Sequence, residues 1–106
     1  MTERISYTPE AQRQLDDLDN WITANAGPEI SQQFISAIID HIEGIPAFPD
    51  AGRNRDDVRP GVKTTSFRRR TLIAYEVVGC ATDLTVIVLG IFHRGPDWET
   101  ALREKE

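Results

Sequence analysis

Apolar residues recur through the first half of the chain with a helical period. Ala11, Leu15, Leu18, Ile22 and Ala26 lie close to the spacing of about 3.6 residues that puts side chains on one helix face. Gln12, Asp16, Asp17 and Asp19 take the opposite side, and Trp21 widens the apolar stripe. Thr8-Pro9-Glu10 opens this helix: a hydroxyl to cap it, a proline whose missing N–H costs nothing at the first position, and an acid in the first turn. Gly27-Pro28 closes it and starts a second, whose apolar side carries Ile30, Phe34, Ala37, Ile38, His41, Ile42 and Ile45. So short a break folds the two helices into an antiparallel hairpin. Pro46 and Pro49 end the helical pattern, and residues 47–61 have the Pro, Gly, Asp and Asn content of an ordered loop.

On either side of the hairpin the period changes to two. Ile5 and Tyr7 alternate with Arg4 and Ser6, which predicts a short half-buried strand at the start. After the loop come three apolar runs: residues 62–67 anchored by Phe67, residues 72–78, and residues 84–92. Arg68-Arg69-Arg70-Thr71 makes the first turn between them, and the five residues Gly79-Cys80-Ala81-Thr82-Asp83 make the second. The last run is so continuously apolar and β-branched that it predicts an interior strand covered in part on both faces. After it, residues 93–98 leave the sheet and residues 98–105 predict a short helical end. The order β-α-α-β-β-β predicts an α+β fold, a short N-terminal strand and an antiparallel helical hairpin packed on an antiparallel β-sheet.

Composition adds limits. A chain of 106 residues, 40% hydrophobic and 27% charged, predicts one globular domain over residues 1–106. The lone Cys80 excludes an internal disulfide, and two distant histidines offer no metal site. No segment has the character of a signal peptide or a membrane span, so a cytoplasmic location is the default. The net charge of −5 argues against a non-specific nucleic-acid coat. Its distribution is uneven: residues 1–52 sum to −7, residues 53–70 to +5 and residues 71–106 to −3. Arg53, Arg55, Arg59, Lys63, Arg68, Arg69 and Arg70 make the middle segment a candidate face for an anionic partner.

Four local sequences, in this order, carry a family resemblance: Phe48-Pro49-Asp50-Ala51-Gly52-Arg53, Asp57-Val58-Arg59-Pro60-Gly61, Leu72-Ile73-Ala74-Tyr75-Glu76-Val77, and Ile91-Phe92-His93 continuing to Asp97-Trp98. With the order of elements, they make nearly the whole chain resemble the ParE branch of the ParE/RelE toxins of bacterial type II toxin–antitoxin modules. One departure is that Pro96 stands where such chains often have arginine, with Arg94 two residues earlier. The resemblance implies a toxin neutralised, in a hetero-oligomer, by a ParD-like antitoxin whose acidic and apolar C-terminal segment wraps it. It implies no cofactor. For the ParE branch the implied target is DNA gyrase, met by the C-terminal region, here His93, Arg94, Asp97 and Trp98. For the RelE branch it is messenger RNA cut on the ribosome, and a non-toxic binding relic of the same fold is a third reading.

Cutting RNA requires a general base, a general acid and fixed cations around the phosphate. His93, Arg70 and Glu76 are the candidates, with His93 expected near Arg70 and Leu72 and Glu76 about halfway along the strand. The alternative for His93 is a structural hydrogen bond at a strand end. Arg68, Arg69 and Arg70 are either solvated turn residues or, with Arg53 and Arg59, a surface for antitoxin carboxylates, because a guanidinium forks onto carboxylate and phosphate alike. Arg53 has a second reading as a brace for the long loop. Tyr75 and His41 read as packing residues, and Trp98 as a lid over the sheet edge or an anchor for a partner.

Overall fold

The computed structural model describes residues 4–80 and 83–93. Strand β1 (Arg4–Tyr7) leads into helix α1 (Pro9–Ala26), helix α2 (Pro28–Glu43) and a 3-10 turn at Ile45–Ala47. Strands β2 (Arg53–Asn54), β3 (Lys63–Phe67), β4 (Thr71–Cys80) and β5 (Asp83–His93) follow, and the five strands form one sheet in the order β1-β5-β4-β3-β2. The Thr8 side chain accepts from the Ala11 N–H, with Pro9 next in line. Gly27, at φ 100°, reverses the chain between the helices. Both local signals work as the sequence predicts.

The β-α-α-β-β-β architecture stands, but the sheet is mixed rather than wholly antiparallel. β1 pairs in parallel with β5, from Arg4 opposite Thr85 to Tyr7 opposite Val88. Its strand direction is fixed by where the helical hairpin must start, on the far side of β5 from β4. The expected loop over residues 47–61 also contains the two-residue β2, whose Arg53 and Asn54 face Thr64 and Lys63. Pairing of β4 with β5 continues through Gly79 and Cys80, so the predicted five-residue hairpin connection is mostly strand. Residues 94–105, including the predicted C-terminal helical turns, lie outside the described residues.

Two clusters fill the two faces of the sheet. Toward the helices, Ala11, Leu15, Leu18 and Ile22 of α1 and Ile38 and Ile42 of α2 meet Phe67, Ile73, Tyr75, Val86, Val88 and Ile91. Each such fully buried aliphatic or aromatic side chain contributes about 1.5–3 kcal/mol. On the other face Val58 and Val62, from the loop before β3, cover Ala74, Leu89 and Phe92. Hence β5 is interior and covered on both faces, as its continuous apolar run predicts. Ala26 and Ile30 depart from the expected buried stripe: both lie at the hairpin bend, and Ile30 is 51% exposed.

Candidate functional site

The site is set by one irregularity. Between Ala74 opposite Gly90 and Tyr75 opposite Val88, β5 has an extra residue, Leu89, a β-bulge. Before it, Leu84, Val86 and Val88 face the helices; after it, Ile91 does, and with it His93. Strict alternation would have put His93 on the opposite face from Val86 and Val88. The bulge therefore moves His93 under the helical hairpin.

There His93 shares a 2.8 Å hydrogen bond between its Nδ1 and Oγ1 of Thr71, its cross-strand neighbour, which is only 2% exposed. Its ring lies 6.4 Å from that of Trp21 and 5.8 Å, edge to face, from that of Phe34. Phe34 meets Phe67 at 5.5 Å, and Phe67 meets His41 at the same distance. The result is a row of five rings, Trp21-His93-Phe34-Phe67-His41, along the seam between hairpin and sheet. His41 is half-buried and bonds through Nε2 to Thr65 Oγ1 at 3.1 Å, the packing role expected for it. Arg68 covers the row, its guanidinium 4.8 Å from the Phe67 ring centre and 5.6 Å from that of Phe34.

Beside His93 an open groove of about 590 Å³ runs between α1 and the end of β5, lined among the described residues by Gln14, Asp17, Leu18, Trp21, Ile91, Phe92 and His93. Trp21 is 47% exposed at its margin. A second hollow, of about 370 Å³, lies beyond the end of α2 between His41, Phe48, Gly52, Thr65 and Tyr75. Tyr75 is buried, and its hydroxyl donates to the Pro49 carbonyl at 3.3 Å, tying the Phe48–Gly52 loop to the sheet. Burial raises the Tyr75 pKa; the hydrogen bond with the Gly52 backbone opposes that shift and the charge of Asp50 adds to it. The loop brace is thus Tyr75, while Arg53 is exposed on β2 and is held there through the pairing of its backbone with β3.

The predicted candidates do not form one constellation. Glu76 is on the face away from the helices, where its carboxylate lies 3.7 Å from the Arg59 guanidinium, so the sheet itself separates it from His93. Cross-strand pairing puts Arg53, opposite Thr64 and Ala74, on that same outer face. Arg55 forks onto Asp57 at 2.9 and 2.8 Å. What remains near His93 is the turn Arg68-Arg69-Arg70, in which Arg69 and Arg70 are exposed and unpaired among the described residues. Arg68 and Arg69 both adopt the left-handed backbone, at φ 51° and 72°. Arg94, Asp97 and Trp98 lie outside the described residues.

A family model for the ParE toxin of the type II toxin–antitoxin system parDE matches residues 5–98. The chain belongs to the ParE toxin family. Toxin ParE1 of Mycobacterium tuberculosis, in strains CDC 1551 / Oshkosh and ATCC 25618 / H37Rv, is 28% identical over 97 residues, covering 92% of this chain and 95% of the relative. A solved structure, the chromosomal ParDE TA system from P. aeruginosa, superposes with a TM-score of 0.72 at 20% identity, over 88% of this chain and 97% of that one; it shows the same fold. In this ParE toxin the structure places the expected candidate His93 beside Trp21 and Phe34, which the sequence reading named only as members of the helices' apolar stripes, and beside Thr71 and Gln14, which it did not single out. Helical periodicity marked Trp21 and Phe34 as apolar, whereas no local signal marked Thr71 or Gln14.

Proposed function

We propose that this ParE toxin acts by binding DNA gyrase and does no chemistry of its own. The supporting observation is the separation of the groups an RNA-cutting site would need. His93 is engaged by Thr71 and enclosed by Trp21 and Phe34, while Glu76 sits across the sheet on Arg59. A general acid and base must both reach the reacting atoms within hydrogen-bond distance. The groove beside His93, lined by Leu18, Trp21, Ile91 and Phe92, and the separate arginine turn that leads into Thr71 on the neighbouring strand suit a ParD-like antitoxin with an acidic and apolar C-terminal segment, held in a cytoplasmic hetero-oligomer. In this reading Arg68, Arg69 and Arg70 meet antitoxin carboxylates, Arg53 and Arg59 serve the outer face, and the chain from His93 through Arg94, Asp97 and Trp98 meets gyrase.

The test is a supercoiling assay with purified gyrase beside a translation reaction read by primer extension. Lost supercoiling or trapped cleaved DNA, with intact message and with Glu76→Gln as active as wild type, is expected. Codon-phased cuts in the message with normal gyrase would refute the proposal and make the chain a ribosome-dependent RNase.

A further inference from the structure

The bulge that brings His93 under the helices is held from outside its own sheet. β1 stops pairing at Tyr7 opposite Val88, so the edge of β5 beyond that point has no strand partner among the described residues. Two side chains of the α1 region take its place. The Thr8 hydroxyl, already the acceptor that caps α1, donates to the Leu89 carbonyl at 3.3 Å. The Gln14 side-chain carbonyl Oε1 accepts the Ile91 N–H at 2.8 Å. Between them is Gly90, where an added Cβ would stand 2.6 Å from Phe92 Cζ and 3.3 Å from Gln14 Oε1, so the bulge is shaped to accept both the Phe92 ring and the glutamine.

We propose that Gln14 is a positioning residue of the His93 site: by accepting the Ile91 N–H it holds β5 in the bulged register and so decides which face of the sheet presents His93. Without that acceptor the N–H of the buried Ile91 would lie unpaired, which favours opening of the strand there. The extra residue would then be free to relax along the strand, since a shift of one residue exchanges the faces of every side chain beyond it. The structural claim is independent of the target; its effect on toxicity rests on the gyrase reading above.

The experiment uses the isotopically labelled full chain and three variants. Gln14→Leu keeps size but removes the acceptor, Gln14→Asn keeps the amide one methylene too short, and Gln14→Glu restores a carbonyl-type acceptor at full length. In wild type, with ring centres 6.4 and 5.8 Å away, nuclear Overhauser contacts should join the His93 ring to Trp21 and Phe34. Gln14→Leu and Gln14→Asn should lose them and exchange the Ile91 amide about tenfold faster, the effect of one lost hydrogen bond, while Gln14→Glu retains both. Should Gln14→Leu fail to fold, Gln14→Asn decides. Retention of the His93 contacts in Gln14→Leu or Gln14→Asn overturns the proposal. In the gyrase assay the same two variants should need at least about fivefold more toxin, with inhibition restored in Gln14→Glu. Full inhibition by a variant whose His93 has moved also overturns it. Absence of inhibition by wild type would defeat the gyrase reading alone, leaving the magnetic resonance result to decide the role of Gln14.

Discussion

Replacing Arg69 by glycine should stabilise this toxin while weakening its electrostatic attraction for an acidic partner. Arg69 has φ 72°, in the left-handed region, is exposed and makes no described bond. A residue with a Cβ costs roughly 1–2 kcal/mol there, against which glycine loses about 0.5–1 kcal/mol through the greater freedom of its unfolded chain. The difference leaves a gain of about 0.5–1 kcal/mol. Arg68, at φ 51°, should behave otherwise, because its guanidinium lies over Phe67 and Phe34 and that contact is worth about 0.5–1 kcal/mol at an exposed site. Arg68→Gly should therefore be close to neutral. Urea unfolding reads both: with a slope of about 1–3 kcal/mol per molar, Arg69→Gly should raise the midpoint by roughly 0.2–1 M. A lower midpoint for Arg69→Gly, or an equal rise for Arg68→Gly, would refute the reasoning. Confirmation would mean that the turn keeps arginine at a cost to stability, as expected where charge is retained for binding.

Alanine at Arg68, Arg69 and Arg70 together should flatten the salt dependence of antitoxin binding, measured by calorimetry from low to high ionic strength; an unchanged slope would place the antitoxin carboxylates elsewhere. Gly52→Ala should destabilise by more than about 2 kcal/mol, because its Cβ would stand 2.9 Å from Tyr75 Cζ and 3.1 Å from the Thr64 carbonyl oxygen. Gly61→Ala, where only the φ of 85° is strained, should cost about 1 kcal/mol, and equal melting points for the two would refute the assignment. Burial raises the pKa of both Tyr7 and Tyr75, with Glu43 adding to the first and Asp50 to the second. The folded state thus prefers both phenols protonated, so their contribution is complete below the ordinary value of 10.0 and is lost as pH rises through the raised folded values. Thermal melting should fall above pH 10.0 and fall less steeply in Tyr75→Phe; parallel profiles would contradict it. Thr71→Val should cost about 0.5–1.5 kcal/mol for the lost bond to His93 and shift the His93 imidazole nitrogen resonances, and unshifted resonances would deny that bond.

Local signals sufficed for the elements. The cap at Thr8-Pro9, the reversal at Gly27-Pro28 and the period of Ala11, Leu15, Leu18 and Ile22 each act within a turn or two of chain, and each appears in the fold where the sequence puts it. The same holds for Tyr75 as core and for the burial of both faces of the last apolar run. The four short motifs and their order sufficed for the family. The location of the chemistry was less legible. Counted along the chain, Arg53, Arg59, Arg68, Arg69 and Arg70 look like one patch, but a strand sends alternate side chains to opposite faces and a loop can cross from one face to the other. The structure accordingly divides them between the outer face and the turn under α2.

His93 and Glu76 show the limit most clearly. Their spacing on adjacent strands fixes how far apart they lie along the sheet, whereas the bulge at Leu89 fixes on which sides of it they lie. A bulge has no dependable sequence signature, because it is stabilised by whatever satisfies the displaced backbone groups. Here those partners are Thr8 and Gln14, 81 and 77 residues away in the chain. The sequence by itself determined the helices, every strand but the two-residue β2, their order and the family. Tertiary structure alone decided the parallel pairing of β1, the row of rings around His93 and the face on which His93 stands, since each depends on contacts between segments that meet only once the hairpin has closed on the sheet.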